Sequence, residues 1–280
     1  MIKIIADTTS SIAPEEAEQL GIPLLPQIII FGDQSYRDDC EMNSQQFLQK
    51  LRTSPVLPKT SAPQPVLYAP IYERFASEGH TMIVVAPSSD VSGTYRSASV
   101  AAQDFPDADI RVVDTRTIAG GLGNIVRVAH GWAQAGKSAD EIVAGIKEMV
   151  SRERLYFVVD TLEYLYKGGR IGGAAALVGS LLQVKPVLTV RDGHIETFEK
   201  QRTHKVAIAR LKELILTECP KGDPEGYLTI MHGDAEAEAV AILEEMRTTL
   251  ELKNVRLCDL PPAILTHSGP GPIAVSFFVK

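Results

Sequence analysis

Short, nearly continuous apolar runs alternate with amphipathic stretches through the first half of the chain. Residues 2–6, 23–30, 81–86 and 110–113 are apolar enough to be buried strands. Residues 14–20, 43–51, 66–78, 121–135 and 139–151 place apolar side chains at helical spacing, as does the stretch after Ser92. Such alternation predicts an α/β fold, a parallel sheet with helices on both faces. Ligands of these sheets collect beyond the carboxyl ends of the strands. Three polar segments, residues 7–11, 88–94 and 114–117, follow strands and should line that one rim.

The second half is patterned less regularly. Strands are expected at residues 156–159, 227–231, 255–258 and 273–279, and helices at 204–217 and 235–250. Asp192-Gly193, between two β-like runs, marks a hairpin turn. The predicted organisation is two domains, residues 1–154 around the parallel sheet and residues 155–280 as a smaller mixed α/β domain. A chain of 280 residues is long enough for both.

Composition narrows the function classes. Hydrophobic content of 45% with 22% charged residues fits a soluble globular protein, and a net charge of −7 argues against nucleic acid as the main partner. Cys40, Cys219 and Cys258 lie far apart without metal-ligand spacing, which suits reduced thiols and a cytoplasmic home. No run approaches the ~18 apolar residues of a membrane span, so no stable membrane anchor is expected. The longest candidate, residues 174–190, is broken by Gln183 and Lys185 and reads as core. Its first part, residues 174–182, is apolar all round, which predicts a buried helix with room for an apolar chain alongside.

Four segments carry candidate chemistry. SSDVSGTYRSA (residues 88–98) links a strand to a helix start, where free backbone N–H groups and the helix dipole favour an anion. Ser92 or Thr94 adds a hydroxyl donor there, and Gly93 permits close approach; a plain helix cap is the alternative reading. KTSAPQP (residues 59–65) holds Thr60 and Ser61 in a proline-stiffened loop, again with a cap as alternative. THSGPGPIAV (residues 266–275) places His267 and Ser268 at a strand end before a rigid turn. YKGGRIGG (residues 166–173) sets Lys167 and Arg170 among glycines, suited to a phosphate or an acidic partner, or to a glycine-capped helix end. GGLG (residues 120–123) is only a weak echo of a dinucleotide loop. There is no GxSxG, HExxH or CxxC, and the carboxylates Asp7, Asp38, Asp39, Asp114 and Asp160 are scattered without metal-site grouping. No cofactor and no metal are expected.

DTTSSI, SYRDD, KTSAPQP, SSDVSGTYRSA, VVDTRTIAGGLG, YKGGRIG, LLQVKPVL and HSGPGPIAV stand in the order expected of the DegV family of bacterial fatty-acid-binding proteins. The chain resembles that family over essentially its whole length. The resemblance implies two α/β domains with the ligand between them, a fatty-acid carboxylate gripped by hydroxyl and histidine donors, and an acyl tail in an apolar tunnel. It implies that Thr60, Ser61, Ser92, Gly93, His267 and Ser268 bind the ligand. It further implies a partner, a separate fatty acid kinase with a dihydroxyacetone-kinase-like ATP domain that makes an acyl-phosphate, with Arg170 supporting phosphoryl transfer. Ala119 stands where the family often has Ser, so no hydroxyl contact is carried over there.

The expected function is therefore binding of a long-chain fatty acid and its presentation to that kinase, not catalysis by this chain. Two alternatives stay open. One is a hydrolase or acyltransferase using Ser61, Ser92 or Ser268 with His267 as base. The other is a binding module for a different small carboxylate or an isoprenoid acid.

Overall fold

The structure is a computed structural model and describes residues 1–180 and 184–280. In chain order it runs β1 (Ile2–Asp7), α1 (Pro14–Leu20), β2 (Leu24–Leu25), β3 (Ile28–Phe31), β4 (Gln34–Arg37), α2 (Ser44–Thr53) and β5 (Lys59–Ser61). It continues through α3 (Ala69–Ser77), β6 (Thr81–Ala86), α4 (Thr94–Ala102), β7 (Ile110–Asp114), α5 (Ala119–Gln134) and α6 (Ala139–Arg152). Then follow β8 (Glu153–Val158), α7 (Glu163–Lys167), β9 (Val187–Arg191), β10 (His194–Glu199) and α8 (His204–Glu218). The last elements are β11 (Thr229–His232), α9 (Glu236–Thr249), β12 (Arg256–Asp259), α10 (Pro262–Ser268) and β13 (Ile273–Phe278). Two compact units result: Met1–Asn43 with Val56–Ser151, and Ser44–Pro55 with Arg152–Lys280.

The first unit is built on a four-stranded parallel sheet of order β2-β1-β6-β7. Successive side chains of a strand point to opposite faces. Met82 and Val84 of β6 enter a cluster with Tyr72 and Phe75 of α3 and Ala98 and Ala101 of α4. Ile83 and Val85 face the other way, where α5 packs against β1 and β6. The apolar continuity of these strands thus reflects burial on both faces. A second, three-stranded antiparallel sheet has the order β4-β3-β5.

Residues 23–30 form two short strands in two sheets instead of one. Pro26 falls between them, and proline cannot donate to a ladder. The proline-rich segment is not wholly loop, because Lys59–Ser61 pairs with β3 as an edge strand. The helix expected over residues 66–78 is a 3-10 turn, Pro65–Leu67, followed by α3.

The second unit carries a six-stranded mixed sheet of order β10-β9-β8-β13-β11-β12, antiparallel except for β11 with β12. Its apolar core joins Val158, Val187, Ile230, Val275 and Phe277 of the sheet to Ile208, Leu211 and Ile215 of α8 and Ile242 and Met246 of α9. The β9–β10 hairpin turns at Asp192 (φ 49°) and Gly193 (φ 83°), the paired positive angles of a primed turn. The helix expected over residues 174–182 is a 3-10 segment, Gly172–Ser180. Ala174 and Leu177 are buried while Ala175 and Ala176 are exposed, as the three-residue period dictates. The rest of that expected helix, and the start of the LLQVKPVL segment, fall outside the described residues.

Candidate functional site

The carboxyl ends of β1, β6 and β7 deliver residues 7–11, 88–94 and 114–117 to one end of the parallel sheet, as their spacing predicts. Asp7 closes β1, and its Oδ1 accepts from the Thr9 N–H (3.1 Å) and the Thr9 hydroxyl (2.5 Å). Its Oδ2 accepts from Gln27 Nε2 (2.7 Å) and Thr94 Oγ1 (2.6 Å). Thr94 is therefore turned inward and buried, which corrects the expectation that it could serve as an outward donor beside Ser92. Ser92 Oγ lies 3.0 Å from Thr94 Oγ1 and accepts from the Thr94 N–H at 3.3 Å. The single Thr94 hydroxyl proton goes to Asp7, so Ser92 is the donor in the pair. Of these two hydroxyl protons, that of Ser92 is the one not committed to Asp7.

Thr60 and Ser61 end β5 and are half-buried, with the Ser61 hydroxyl donating to the Ala62 carbonyl at 3.3 Å. A Cβ on Gly93 would stand 3.2 Å from the Ala62 Cβ, so this loop and the SGT loop are packed together and glycine eases their approach. The first unit thus gathers Thr60, Ser61, Ser92 and Gly93 into one neighbourhood.

Asp7 and Asp38, scattered in sequence, share one hydrogen-bond network through Gln27. Asp38 Oδ1 accepts from the Thr8 hydroxyl and the Gln27 N–H, each at 2.8 Å. Burial pushes Asp38 up to about 7, with Asp7 and Asp39 adding to the rise against the Thr8 and Gln27 hydrogen bonds. Burial also raises Asp7, against the donors around it.

In the second unit, His267 and Ser268 close a short helix, α10, and not a strand as the sequence suggested. Pro262 starts that helix, and Gly269 (φ 71°) ends it ahead of β13. The His267 ring lies against Gly168, where any Cβ would overlap its Nδ1. Arg170 Nη1 donates to the Gly168 carbonyl at 2.8 Å, and its charge is felt at His267. Burial first, and Arg170 second, lower His267 to about 4, so the imidazole is neutral at pH 7. Ser268 is buried, its hydroxyl donating to the Gly269 carbonyl at 3.3 Å. Lys167 is exposed and paired with Glu163 at 2.5 Å.

Ser268, the candidate serine in the same unit as His267, gives its hydroxyl to the Gly269 carbonyl and not to the imidazole. An imidazole lowered to about 4 is also a weak base at neutral pH. No group of His, Cys, Asp or Glu among the described residues could hold a metal ion, and none of their helices is long and apolar enough to cross a membrane. Sequence reasoning placed Asp7 on the rim without giving it a role, and did not single out Gln27 or Gly168. The Asp-Thr-Thr run at a strand end was a legible sign of the first, while the other two depend on tertiary packing.

A parallel-sheet α/β unit joined to a mixed-sheet unit, one bearing hydroxyl donors and the other a neutral imidazole, defines a two-unit α/β protein. A family model described as an uncharacterised protein of the DegV family matches residues 1–280. The chain belongs to the DegV family. A DegV domain-containing protein of Streptomyces coelicolor is 37% identical over 277 residues, covering 98% of this chain and 97% of its own. The structure of a DegV family protein of Thermus thermophilus, described as fatty-acid-binding, matches with a TM-score of 0.90 at 29% identity, over 100% of this chain and 99% of its own. That of DegV, a fatty acid binding protein from Bacillus subtilis, matches with a TM-score of 0.89 at 30% identity, with the same coverage.

Proposed function

We propose that this protein binds a long-chain fatty acid, its carboxylate taken by Thr60, Ser61, Ser92, the Gly93 N–H and His267, with Ser268 beside the imidazole. The observation that carries this reading is the packing of Ala62 against Gly93, which gathers hydroxyl donors around Ser92. The fatty-acid binding described for the Thermus and Bacillus proteins supports it. Burying an acyl tail yields roughly 0.8 kcal/mol per CH₂, so ~14 methylenes give on the order of 11 kcal/mol before any cost of binding. Affinity then resides in the tail, and the head group needs only satisfied hydrogen bonds, which neutral donors supply.

Neutral donors also leave the carboxylate free to react. The GxxxxGKS stretch at residues 131–138 starts inside α5 and ends at the turn before α6 instead of following a strand, so it is not a P-loop. The proposal therefore extends to a separate dihydroxyacetone-kinase-like fatty acid kinase that phosphorylates the presented carboxylate, Arg170 supporting the transfer. Denaturing extraction of purified protein followed by mass spectrometry tests the first part. Stoichiometric fatty acid is expected; none recovered and none taken up on addition refutes the reading. Acyl-phosphate formed from loaded protein, ATP and such a kinase tests the second.

A further inference from the structure

The carboxyl pair at the end of the parallel sheet lies beneath the hydroxyl proposed to meet a fatty-acid anion. Asp7 is ringed by donors: the Thr9 N–H and hydroxyl, Gln27 Nε2 and Thr94 Oγ1. All four donate in this arrangement, so a proton on either Asp7 oxygen requires a donor to turn away or a threonine hydroxyl to reverse. Asp38 differs. Its Oδ1 accepts two hydrogen bonds, while Oδ2 is buried with no hydrogen-bond partner among the described residues. A proton can join Oδ2 without breaking anything. Tyr68 supplies an independent sign of an unfilled polar requirement: it is fully buried, its hydroxyl lacks a hydrogen-bond partner among the described residues, and it lies within the field of Asp7.

Two hydrogen-bond steps, 2.6 Å from Asp7 to Thr94 and 3.0 Å from Thr94 to Ser92, separate Asp7 from the Ser92 hydroxyl, and Asp38 joins Asp7 through Gln27, whose Nε2 donates to Asp7 and whose N–H donates to Asp38. A ligand carboxylate on Ser92 would add a further negative charge within about 8 Å of Asp7, counting a third hydrogen-bond step. At the effective dielectric of a protein interior, such charges interact strongly enough to change a proton affinity by about tenfold or more. We propose that the Asp7–Asp38 pair is a proton-binding site coupled to the ligand head group, taking up a proton at Asp38 Oδ2 when a fatty-acid carboxylate binds. The proposal rests on the fatty-acid reading above.

The groups facing Asp38 set where this happens. Asp7 from β1 and Asp39 from its own loop both disfavour its ionisation, and Asp39 is itself ion-paired with Arg37 at 2.6 Å. Thr8 and the Gln27 N–H favour the ionised form. Asp38 titrates at about 7 in the free protein, so coupling is read near neutral pH. His267, at about 4, would take up its own proton only at lower pH.

The experiment is isothermal titration of delipidated protein with palmitate at pH 7.5, in buffers of differing ionisation enthalpy, with 1-hexadecanol as the uncharged probe. For about tenfold coupling, wild type takes up roughly half a proton with palmitate and none with hexadecanol. Palmitate affinity falls by about tenfold between pH 6 and pH 9. Asp38→Asn is expected to abolish both effects while still binding hexadecanol. Because that variant could misfold, the Asp38 carboxyl carbon is also titrated by NMR in free and palmitate-loaded wild type, where an upward shift is expected. Palmitate binding without proton uptake and with an unmoved Asp38 titration overturns the proposal and leaves the fatty-acid reading standing. Proton uptake retained in folded Asp38→Asn also overturns it. Failure of wild type to bind palmitate at all overturns both.

Discussion

Gly168→Ala probes how the second unit holds its imidazole. Gly168 has an ordinary right-handed backbone (φ −78°), so alanine meets no conformational penalty and the effect is purely steric. The added methyl would overlap His267 Nδ1, lie 3.1 Å from His267 Cε1 and 2.8 Å from the Tyr164 carbonyl oxygen. Overpacking of this kind costs about 1–3 kcal/mol. The imidazole is the group able to move, because the carbonyl is fixed by its hydrogen bond to the Gly168 N–H. Displacement moves the ring out of the burial that holds it near 4, so its titration should rise toward the ordinary 6.5. The sign on stability follows. Wild-type His267 is neutral when folded, while the unfolded chain binds its proton at 6.5. Its contribution is fully present above pH 6.5 and is lost as pH falls toward about 4. The variant should therefore be less stable than wild type at pH 7, and the gap should narrow as pH falls through that window. Urea unfolding at pH 7 and pH 5, with NMR titration of the His267 ring, measures both. Stability within ~0.5 kcal/mol of wild type together with an unmoved titration would refute the reasoning.

Other perturbations address the remaining features. Gly123→Ala would drive a methyl into the Ser10 carbonyl, backbone that cannot yield as a side chain does, and should cost on the order of 2–4 kcal/mol in urea unfolding. Ser92→Ala and Thr60→Ala should each weaken fatty-acid binding by roughly 1–3 kcal/mol in displacement titrations, with little change in melting temperature; unchanged retention in both removes them from the site. Arg170→Ala should spare lipid binding and impair acyl-phosphate formation with the kinase, and equal loss of both would assign it a structural role instead. Asp38→Asn should raise stability increasingly as pH climbs from 4 through 7, because a carboxyl whose folded titration is raised loses stability across that interval.

Much of the fold was legible because periodicity reports burial directly. The strand at Thr81–Ala86 and the helix at Pro14–Leu20 have the bounds their patterns suggested, and Asp192-Gly193 turns its hairpin. Local chemistry misled where tertiary pairing decides. Lys59–Ser61 is too short and polar to announce a strand, and it is one because β3 offers it an edge. The helix carrying His267 spans seven residues, opening on Pro262 after Pro261, too few for a helical period to show. The residue types of the proposed site were readable, since hydroxyls at strand ends and a histidine before GPGP stand out in sequence. Their orientation was not. That Thr94 faces Asp7 while Ser92 keeps a proton to give depends on a hydrogen bond spanning 87 positions.

The early segment Ser44–Pro55 belongs to the second unit although the first unit flanks it on both sides. Its helix buries Phe47, Leu48 and Leu51, and Ser44 donates to the Leu260 carbonyl 216 positions downstream. During vectorial synthesis these apolar side chains leave the ribosome long before α10 exists to receive them. A nascent chain ending near residue 151 would hold every residue of the first unit while displaying an orphaned amphipathic helix. The two units would then mature on different clocks, and the chain's last strand would close a structure begun at its forty-fourth residue.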